Sequence, residues 1–195
     1  MIDIKKIEED IIHTGEHLDL MSKILTSYDI VNEILFKTEA ELAKDFETEF
    51  ANYQYILVLS QFELSLALKS IYYSKSDLEK IHNLKKGLSI LYETKIVMDK
   101  LNPTLKQIKE NYPSLQDEFK KTIIIIKSIK KIILFDSRIE EIRNNVFAHF
   151  NPNFTQYYNY FEKIVINNDL KLLIEIKDYL YQIERFIVKV RSIKK

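Results

Sequence analysis

Apolar residues recur every three or four positions along most of the chain, the pattern of helices that bury one face. The first such stripe runs from Ile4 to Leu25, with Thr14 in its one gap. Residues 50–73 are apolar on nearly all sides, which predicts a central helix buried around its circumference. The last stripe, Leu170 to Val190, alternates steps of three and four and predicts a seam in a bundle or a dimer.

Start and stop signals divide these stripes into separate helices. Ser27 to Asp29 predicts a break and a new N-cap. Ser76 to Glu79 is a capping box, in which a serine and a glutamate accept hydrogen bonds from backbone N–H groups at the start of a helix. Further starts are predicted at Asn102-Pro103, at Pro113-Ser114 and at a second capping box, Ser137 to Glu140. The sequence therefore predicts an all-α bundle of about six or seven helices.

Two segments fit a strand as well as a helix. Thr122 to Ile126 is β-branched, but a single strand without a partner makes no sheet, so we interpret it as buried helix. Phe154 to Ile166 is rich in aromatic residues, and its sequence fits a helix and a strand equally. No internal repeat or linker divides the chain, so residues 1–195 are expected to form a single domain.

The composition excludes several classes of protein. Two glycines are too few for a phosphate-binding loop, and the absence of cysteine excludes disulfides, a thiolate nucleophile and Cys-ligated zinc. Residues 1–10 lack the apolar core of a signal peptide, and no run of about 18 apolar residues could span a membrane. We therefore expect a cytoplasmic protein without a membrane partner.

The net charge is zero, yet the charges are unevenly distributed. Residues 1–50 hold 13 acidic and 5 basic side chains, whereas residues 119–149 hold 7 basic and 3 acidic ones. A balanced protein is not a tight non-specific nucleic-acid binder, but a local basic face can meet phosphate. Lys127, Lys130 and Lys131 are the candidates for contacts with RNA, and solvated helix surface is the alternative for each.

Two pairs of residues carry weak metal-binding patterns. His13 and His17 lie four apart on the first helix, but Thr14 stands where a zinc protease has its glutamate. Glu79 and His82 resemble half of a di-iron bundle motif, whose full site needs a second copy and two more glutamates. We therefore expect His13 and His17 to be surface residues, and we expect no metal or other cofactor.

The strongest candidate for chemistry is the segment from Ile142 to Phe150. Arg143 is followed by the polar Asn144, and His149 comes after five intervening residues. This Arg-Asn-x4-His motif, on a late helix of an all-α chain, resembles the signature of the HEPN superfamily. A toxin branch of that family, which pairs with nucleotidyltransferases, has a tyrosine two positions after the histidine, where this chain has Asn151.

The resemblance implies a HEPN-like bundle over residues 1–195 that forms a homodimer and acts as a metal-independent endoribonuclease. In that family the arginine and the histidine form the active site at the dimer interface, and many members serve in toxin–antitoxin systems or antiviral defence. It implies catalytic roles for Arg143, Asn144 and His149, contact of Asn145 with RNA, and an antitoxin protein as a partner. One alternative is a non-catalytic HEPN-like module that binds a nucleotide, RNA or a protein; another is a helical scaffold in which the motif is coincidence.

The chemistry of RNA cleavage suits these residue types. Attack of a 2′-hydroxyl on the adjacent phosphorus needs a proton acceptor, and histidine titrates near neutrality. It also needs positive charge at the phosphate, which the planar fork of arginine supplies. Asn144 could orient a phosphate or the imidazole.

Helical geometry limits how the motif can work. At about 100° per residue, Arg143 and His149 diverge by about 120° around a helix. His149 falls on the apolar stripe and Arg143 on its flank, where Glu140, three residues back, could pair with it. A half-buried interface histidine and a salt-bridged surface arginine are thus the alternatives. One helix does not easily direct both groups at one phosphate, whereas two copies crossing at a two-fold axis can.

Overall fold

The structure, a computed structural model, describes residues 2–34, 46–100, 102–135, 137–144, 159 and 162–193. These residues form seven α-helices and one short 3₁₀ helix, with no strand among them. The prediction of an all-α bundle of about six or seven helices is therefore confirmed. The α-helices are α1 (Ile4–Ile34), α2 (Phe46–Tyr73), α3 (Asp77–Lys100), α4 (Asn102–Asn111), α5 (Gln116–Phe135), α6 (Ser137–Ile142) and α7 (Ile166–Ile193), and the 3₁₀ helix is Pro113–Leu115.

Helix α2 is the central helix, as its apolar pattern predicts. It packs against α1, α3, α4 and α7. Large side chains are buried on several of its sides, among them Tyr53, Leu57, Leu64 and Leu68, each no more than 1% exposed. A helix surrounded in this way has to be apolar around most of its circumference. No described helix combines the length and apolar character that crossing a membrane requires.

Helix α7 forms the seam predicted from its spacing. Its stripe residues Leu173, Ile176, Leu180, Ile183 and Ile187 are all 0% exposed. They face α2, α3 and α5, the helices against which α7 packs. Steps of three and four keep these side chains on one face of the helix, so the seam is continuous along most of its length.

Gly87 marks a close approach between α3 and α7. A Cβ atom at this position would lie 2.4 Å from Cδ1 and 3.3 Å from Cγ of Leu173, which is fully buried. We expect Gly87→Ala to lower the free energy of unfolding by about 1–2 kcal/mol, because overpacking outweighs the helix propensity gained. The matched control is Gly15→Ala, whose Cβ would meet Phe62 at an ordinary 3.6 Å and should raise stability. Thermal unfolding measures both, and equal shifts of the same sign would contradict the prediction.

The capping box at Ser76 begins α3, as predicted. The Ser76 hydroxyl accepts a hydrogen bond from the Glu79 backbone N–H at 3.2 Å. The Glu79 carboxylate accepts one from the backbone N–H of Lys75, one residue earlier than the usual box predicts. Both ends of the box therefore satisfy backbone donors at the start of the helix.

The predicted break at Ser27 to Asp29 is wrong, because α1 continues through these residues to Ile34. The hydroxyls of Thr26 and Ser27 donate hydrogen bonds to the carbonyls of Ser22 and Lys23, at 2.9 and 2.8 Å. Serine and threonine can bond back into the preceding helical turn as well as cap a new one. Here Thr26 and Ser27 bond back into the preceding turn, so they do not interrupt the helix.

The β-branched segment is helical, which confirms the interpretation as helix. It lies within α5, where Thr122 and Ile126 are buried at 4% and 3% exposure. Ile124 is 65% exposed, so only one face of the segment is buried. The other ambiguous segment, Phe154 to Ile166, lies largely outside the described residues.

Candidate functional site

Helix α6 positions the first residues of the motif. Ile139 and Ile142 are fully buried, and the helix packs against α3. The Arg138 guanidinium donates to Asp169 Oδ1 at 3.1 Å and to the Lys163 carbonyl at 2.8 Å, which fastens α6 to the region where α7 begins. Asp169 is itself only 1% exposed, so this ion pair is partly shielded from solvent. The short helix that leads into the motif is therefore held at its N-terminal end by Arg138 and along its buried face by Ile139 and Ile142.

Arg143 follows α6, in a wider π-helical turn that includes Asn144. Its Nε donates to Glu93 Oε1 at 2.9 Å, and its Nη1 donates to Asn144 Oδ1 at 3.1 Å. The guanidinium carbon lies 5.5 Å from the centre of the Tyr92 ring, within the range of a cation–π contact. Three contacts thus orient a guanidinium whose side chain is 38% exposed.

The partner of Arg143 is not the one expected. Glu140, the predicted partner three residues back, instead accepts a hydrogen bond from the Tyr92 hydroxyl at 3.4 Å. Glu93 lies 50 residues away in sequence and reaches Arg143 because α6 packs on α3. Arg143 is thus salt-bridged, as the alternative to a catalytic role has it, but to a carboxylate other than Glu140. Helical spacing alone cannot find such a pair, because the pair depends on tertiary packing.

A groove of about 300 Å³ opens beside Arg143. Two helices form its sides, each contributing residues that share one helical face. Its described walls are mainly apolar, and the charged groups among the described lining residues are Arg143 and two carboxylates. The groove is lined by Ile56, Leu59, Ser60 and Glu63 of α2 and by Ser89, Ile90, Glu93 and Thr94 of α3.

Some polar groups of the groove form hydrogen bonds or ion pairs within the protein, and one does not. Thr94 Oγ1 lies 2.8 Å from the Ile90 carbonyl and 3.0 Å from Ser60 Oγ, so these hydroxyls bond within the protein. Glu93 is paired with Arg143. The Glu63 carboxylate is half-buried and forms no hydrogen bond or ion pair with any described residue. Glu63 is thus a hydrogen-bond acceptor without a donor among the described residues of the groove.

The predicted RNA-binding lysines point in two directions from α5. Lys127 and Lys131, one helical turn apart, are exposed. Lys130 turns to α3, where its ammonium lies 2.8 Å from Asp99 Oδ1, and Lys95 approaches the same carboxylate at 3.4 Å. Burial raises the pKa of Asp99, but hydrogen bonds and positive charge from Lys130 and Lys95 outweigh it and hold the pKa below its usual value. Lys130 therefore belongs to an ion-pair cluster.

Arg143 and Lys130 contact different faces of α3. Arg143 reaches Glu93, and Lys130 reaches Asp99, six residues further along. Six residues advance a helix by about 9 Å and leave the two positions about 120° apart around its axis. The structure thus brings Arg143 together with Asn144 and does not place Lys130 on the same face.

His149 and Asn145 lie outside the described residues, so their roles stay predictions. Asn144 is described, and its exposed side chain accepts a hydrogen bond from Arg143. This contact gives Asn144 a positioning role toward the guanidinium, in addition to the predicted role toward a phosphate or the imidazole. The sequence places Asn144 beside Arg143 but does not show that their side chains bond.

A second polar cluster joins α1, α2 and α7. His17 Nδ1 lies 2.9 Å from Glu184 Oε1, and Gln61 donates to Glu184 Oε2 at 2.8 Å. Gln54 Nε2 lies 3.2 Å from His17 Nε2. Glu184 was not predicted as a site residue, because a charged position does not belong to an apolar stripe. The sequence does place Glu184 one helical turn after Leu180, which is buried, and this spacing indicates that Glu184 lies near the buried face of α7.

The cluster changes the interpretation of the two histidines. His13 is exposed as expected, but only 18% of the His17 side chain is exposed, so the expectation of a surface residue is wrong for His17. Burial raises the pKa of Glu184, but hydrogen bonds from His17 and Gln61 and the charge of both histidines outweigh it and hold the pKa below its usual value. Among the described residues, no three histidine or carboxylate side chains form a group that could hold a metal ion.

Comparison of the chain with protein-family models, with curated proteins and with solved structures finds no match in any of the three. The candidate site is therefore defined by its residues and their geometry. Grooves of ligand size adjoin both the segment at Arg143, at about 300 Å³, and the His17–Glu184 cluster, at about 490 Å³. The two differ in their polar groups: those of the cluster mainly bond to one another, whereas Glu63 beside Arg143 has no partner among the described residues.

Proposed function

We propose that this chain is a HEPN-like metal-independent endoribonuclease that acts as a homodimer, with Arg143 and His149 as catalytic residues. The observation that carries the proposal is that Glu93, Asn144 and Tyr92 orient the Arg143 guanidinium while the Arg143 side chain remains 38% exposed. Electrostatic catalysis requires such a preorganised positive group, because a freely rotating one would have to be ordered during the reaction.

The proposed reaction needs no group besides those of the protein and the RNA. The His149 imidazole accepts the proton of a 2′-hydroxyl, and the 2′-oxygen forms a bond with the adjacent phosphorus. The bond from phosphorus to the 5′-oxygen breaks, and that oxygen takes up a proton from the imidazolium that His149 has become. The products are a 2′,3′-cyclic phosphate and a 5′-hydroxyl. Arg143 stabilises the charge that gathers on the non-bridging oxygens.

The contacts of Arg143 leave room for this role. Glu93 and Asn144 engage one N–H of Nε and one of Nη1, and a guanidinium carries five N–H donors. The remaining donors can meet phosphate oxygens in the forked geometry that arginine favours. Lys127 and Lys131, both exposed, add positive charge that attracts RNA over a longer range.

The homodimer supplies the second half of the site. Arg143 and His149 diverge around one helix, so two motif helices that cross at a two-fold axis bring the groups of both chains to one phosphate. A protein antitoxin that covers this interface is the partner the proposal implies.

The second candidate is a non-catalytic module that binds a nucleotide, RNA or a protein. The groove of about 300 Å³ beside Arg143 favours it, because a ligand-sized apolar groove with a few polar groups is the usual form of a binding site. The ion pair between Arg143 and Glu93 also means that a phosphate competes with a carboxylate. When the ligand is a nucleotide or RNA, both candidates place a phosphate at Arg143 and differ in whether a bond of that ligand is broken.

Incubation of the purified protein with varied single-stranded RNAs and a chelator tests the proposal. Light scattering first establishes that the sample is a dimer, with twice the chain mass of 23.3 kDa. We expect cleavage in the chelator and products that end in a cyclic phosphate, because the 2′-hydroxyl is the nucleophile. If the dimer leaves all RNAs uncut with and without added metals, the enzyme proposal fails and the binding module takes its place.

A further inference from the structure

The groove beside Arg143 has the size and walls of a subsite for one flat group. Its volume of about 300 Å³ lies at the lower end of ligand-binding pockets, which span about 300–1,000 Å³. Ile56 and Leu59 on one side and Ile90 on the other offer apolar surface to the faces of a ring. A single nucleobase of an unpaired RNA strand fits this description, because such bases are bound through their faces and edges.

Glu63 offers a hydrogen-bond acceptor to the edge of a base bound in the groove. Its carboxylate is half-buried, and no described residue donates a hydrogen bond to it. An ionised carboxylate accepts hydrogen bonds through two oxygens and donates none. A ligand in the groove would cover the half-buried carboxylate, which is unfavourable unless the ligand itself donates hydrogen bonds to it. A ligand that presents two adjacent N–H donors is therefore the natural complement. Glu93 cannot serve equally, since Arg143 already occupies one of its oxygens.

Among the four RNA bases, guanine alone presents two adjacent donors, N1–H and the N2 amino group. Adenine and cytosine place an amino group next to a ring-nitrogen acceptor, and uracil places one N–H between two carbonyls. An acceptor beside the donor repels the second carboxylate oxygen, which weakens binding. We propose that the groove binds a guanine base of the RNA, selected by Glu63, with the phosphate of the same strand at Arg143. This assignment rests on the proposed ribonuclease function for its substrate.

Binding of the four nucleoside 5′-monophosphates to the full chain tests the assignment without cleavage. Calorimetry should show that GMP binds at least about tenfold tighter than AMP, CMP or UMP, since one charged hydrogen bond is worth that much or more. Glu63→Gln should lower the affinity for GMP by about 10–100-fold and leave the affinity for AMP nearly unchanged. Glu63→Asp, which withdraws the carboxylate by one methylene group, should also lose selectivity. The matched control is Glu9→Gln, which removes the same charge from an exposed position of α1 outside the groove and should change nothing.

The outcomes separate this assignment from the function on which it rests. Selective GMP binding with no RNA cleavage supports the guanine subsite and removes the ribonuclease proposal. Cleavage of RNA by a protein that binds the four nucleotides equally overturns the guanine subsite and leaves the ribonuclease proposal intact. Circular dichroism of the Glu63 variants establishes that they are folded; if neither variant folds, the selectivity of the unaltered protein decides alone.

Discussion

Replacing His149 by alanine should lower the rate of RNA cleavage by about 10²–10⁴, the usual contribution of a general acid–base group. The loss follows because no other group at the motif is expected to take the proton from the 2′-hydroxyl. The rate at which a labelled single-stranded RNA is cleaved, measured in a chelator with excess enzyme, reports this step without interference from product release. His82→Ala is the matched control, because His82 is an exposed histidine of α3 outside the motif and should keep full activity.

A structural role for His149 gives a different result. Because a catalytic histidine contributes little to the core, His149→Ala should keep the helical circular dichroism and the unfolding midpoint of the unaltered protein. If the variant melts and its remaining folded fraction still cleaves RNA at the normal rate, His149 is a packing residue and the catalytic assignment is wrong.

Replacing Arg143 by alanine should lower the cleavage rate by about 10²–10³, the typical effect of removing a preorganised donor from a developing charge. Arg143→Lys should restore little of the rate, since an ammonium keeps the charge but loses the fork that bonds Glu93 and Asn144 together with a phosphate. The same cleavage assay measures both variants. Arg185→Ala, which removes an exposed arginine of α7, is the matched control and should leave the rate unchanged.

Stability measurements separate catalysis from packing at Arg143 as well. The ion pair with Glu93 is partly exposed on both sides, and such pairs are worth about 0–1 kcal/mol. Both Arg143 variants should therefore unfold close to the midpoint of the unaltered protein. Full activity in Arg143→Ala would contradict the proposed role directly.

Local rules predicted most of the fold, and they failed where two local options compete. The capping box at Ser76 was correct because a serine and a glutamate three residues apart both serve the start of one helix. The break at Ser27 was wrong because a hydroxyl can equally bond the preceding turn, and the sequence does not say which bond forms. Long apolar stripes such as that of α7 were reliable, since burial of a whole face outweighs single residues.

The candidate site was predictable only in its local part. The prediction that Ile142 lies on the apolar stripe, with Arg143 beside it, agrees with the buried Ile142 and the partly exposed Arg143, because the order of these two residues is a local property. Glu93, Tyr92 and Glu63 were not predictable as neighbours of the site, since their approach requires α6 to pack on α3 and α3 to pack on α2. The contacts of Glu184 were equally unpredictable, because its partners lie on α1 and α2.

The central claim is that Arg143 of one chain and His149 of its partner act on one phosphate, and mixing two inactive variants tests it most directly. Arg143→Ala and His149→Ala are unfolded together and refolded, so that about half of the dimers contain one chain of each kind. If each site combines residues of both chains, every mixed dimer keeps one intact site, and cleavage returns to about a quarter of the unaltered rate. Activity that stays at the level of the separate variants, in a sample shown to contain mixed dimers, would contradict the shared site.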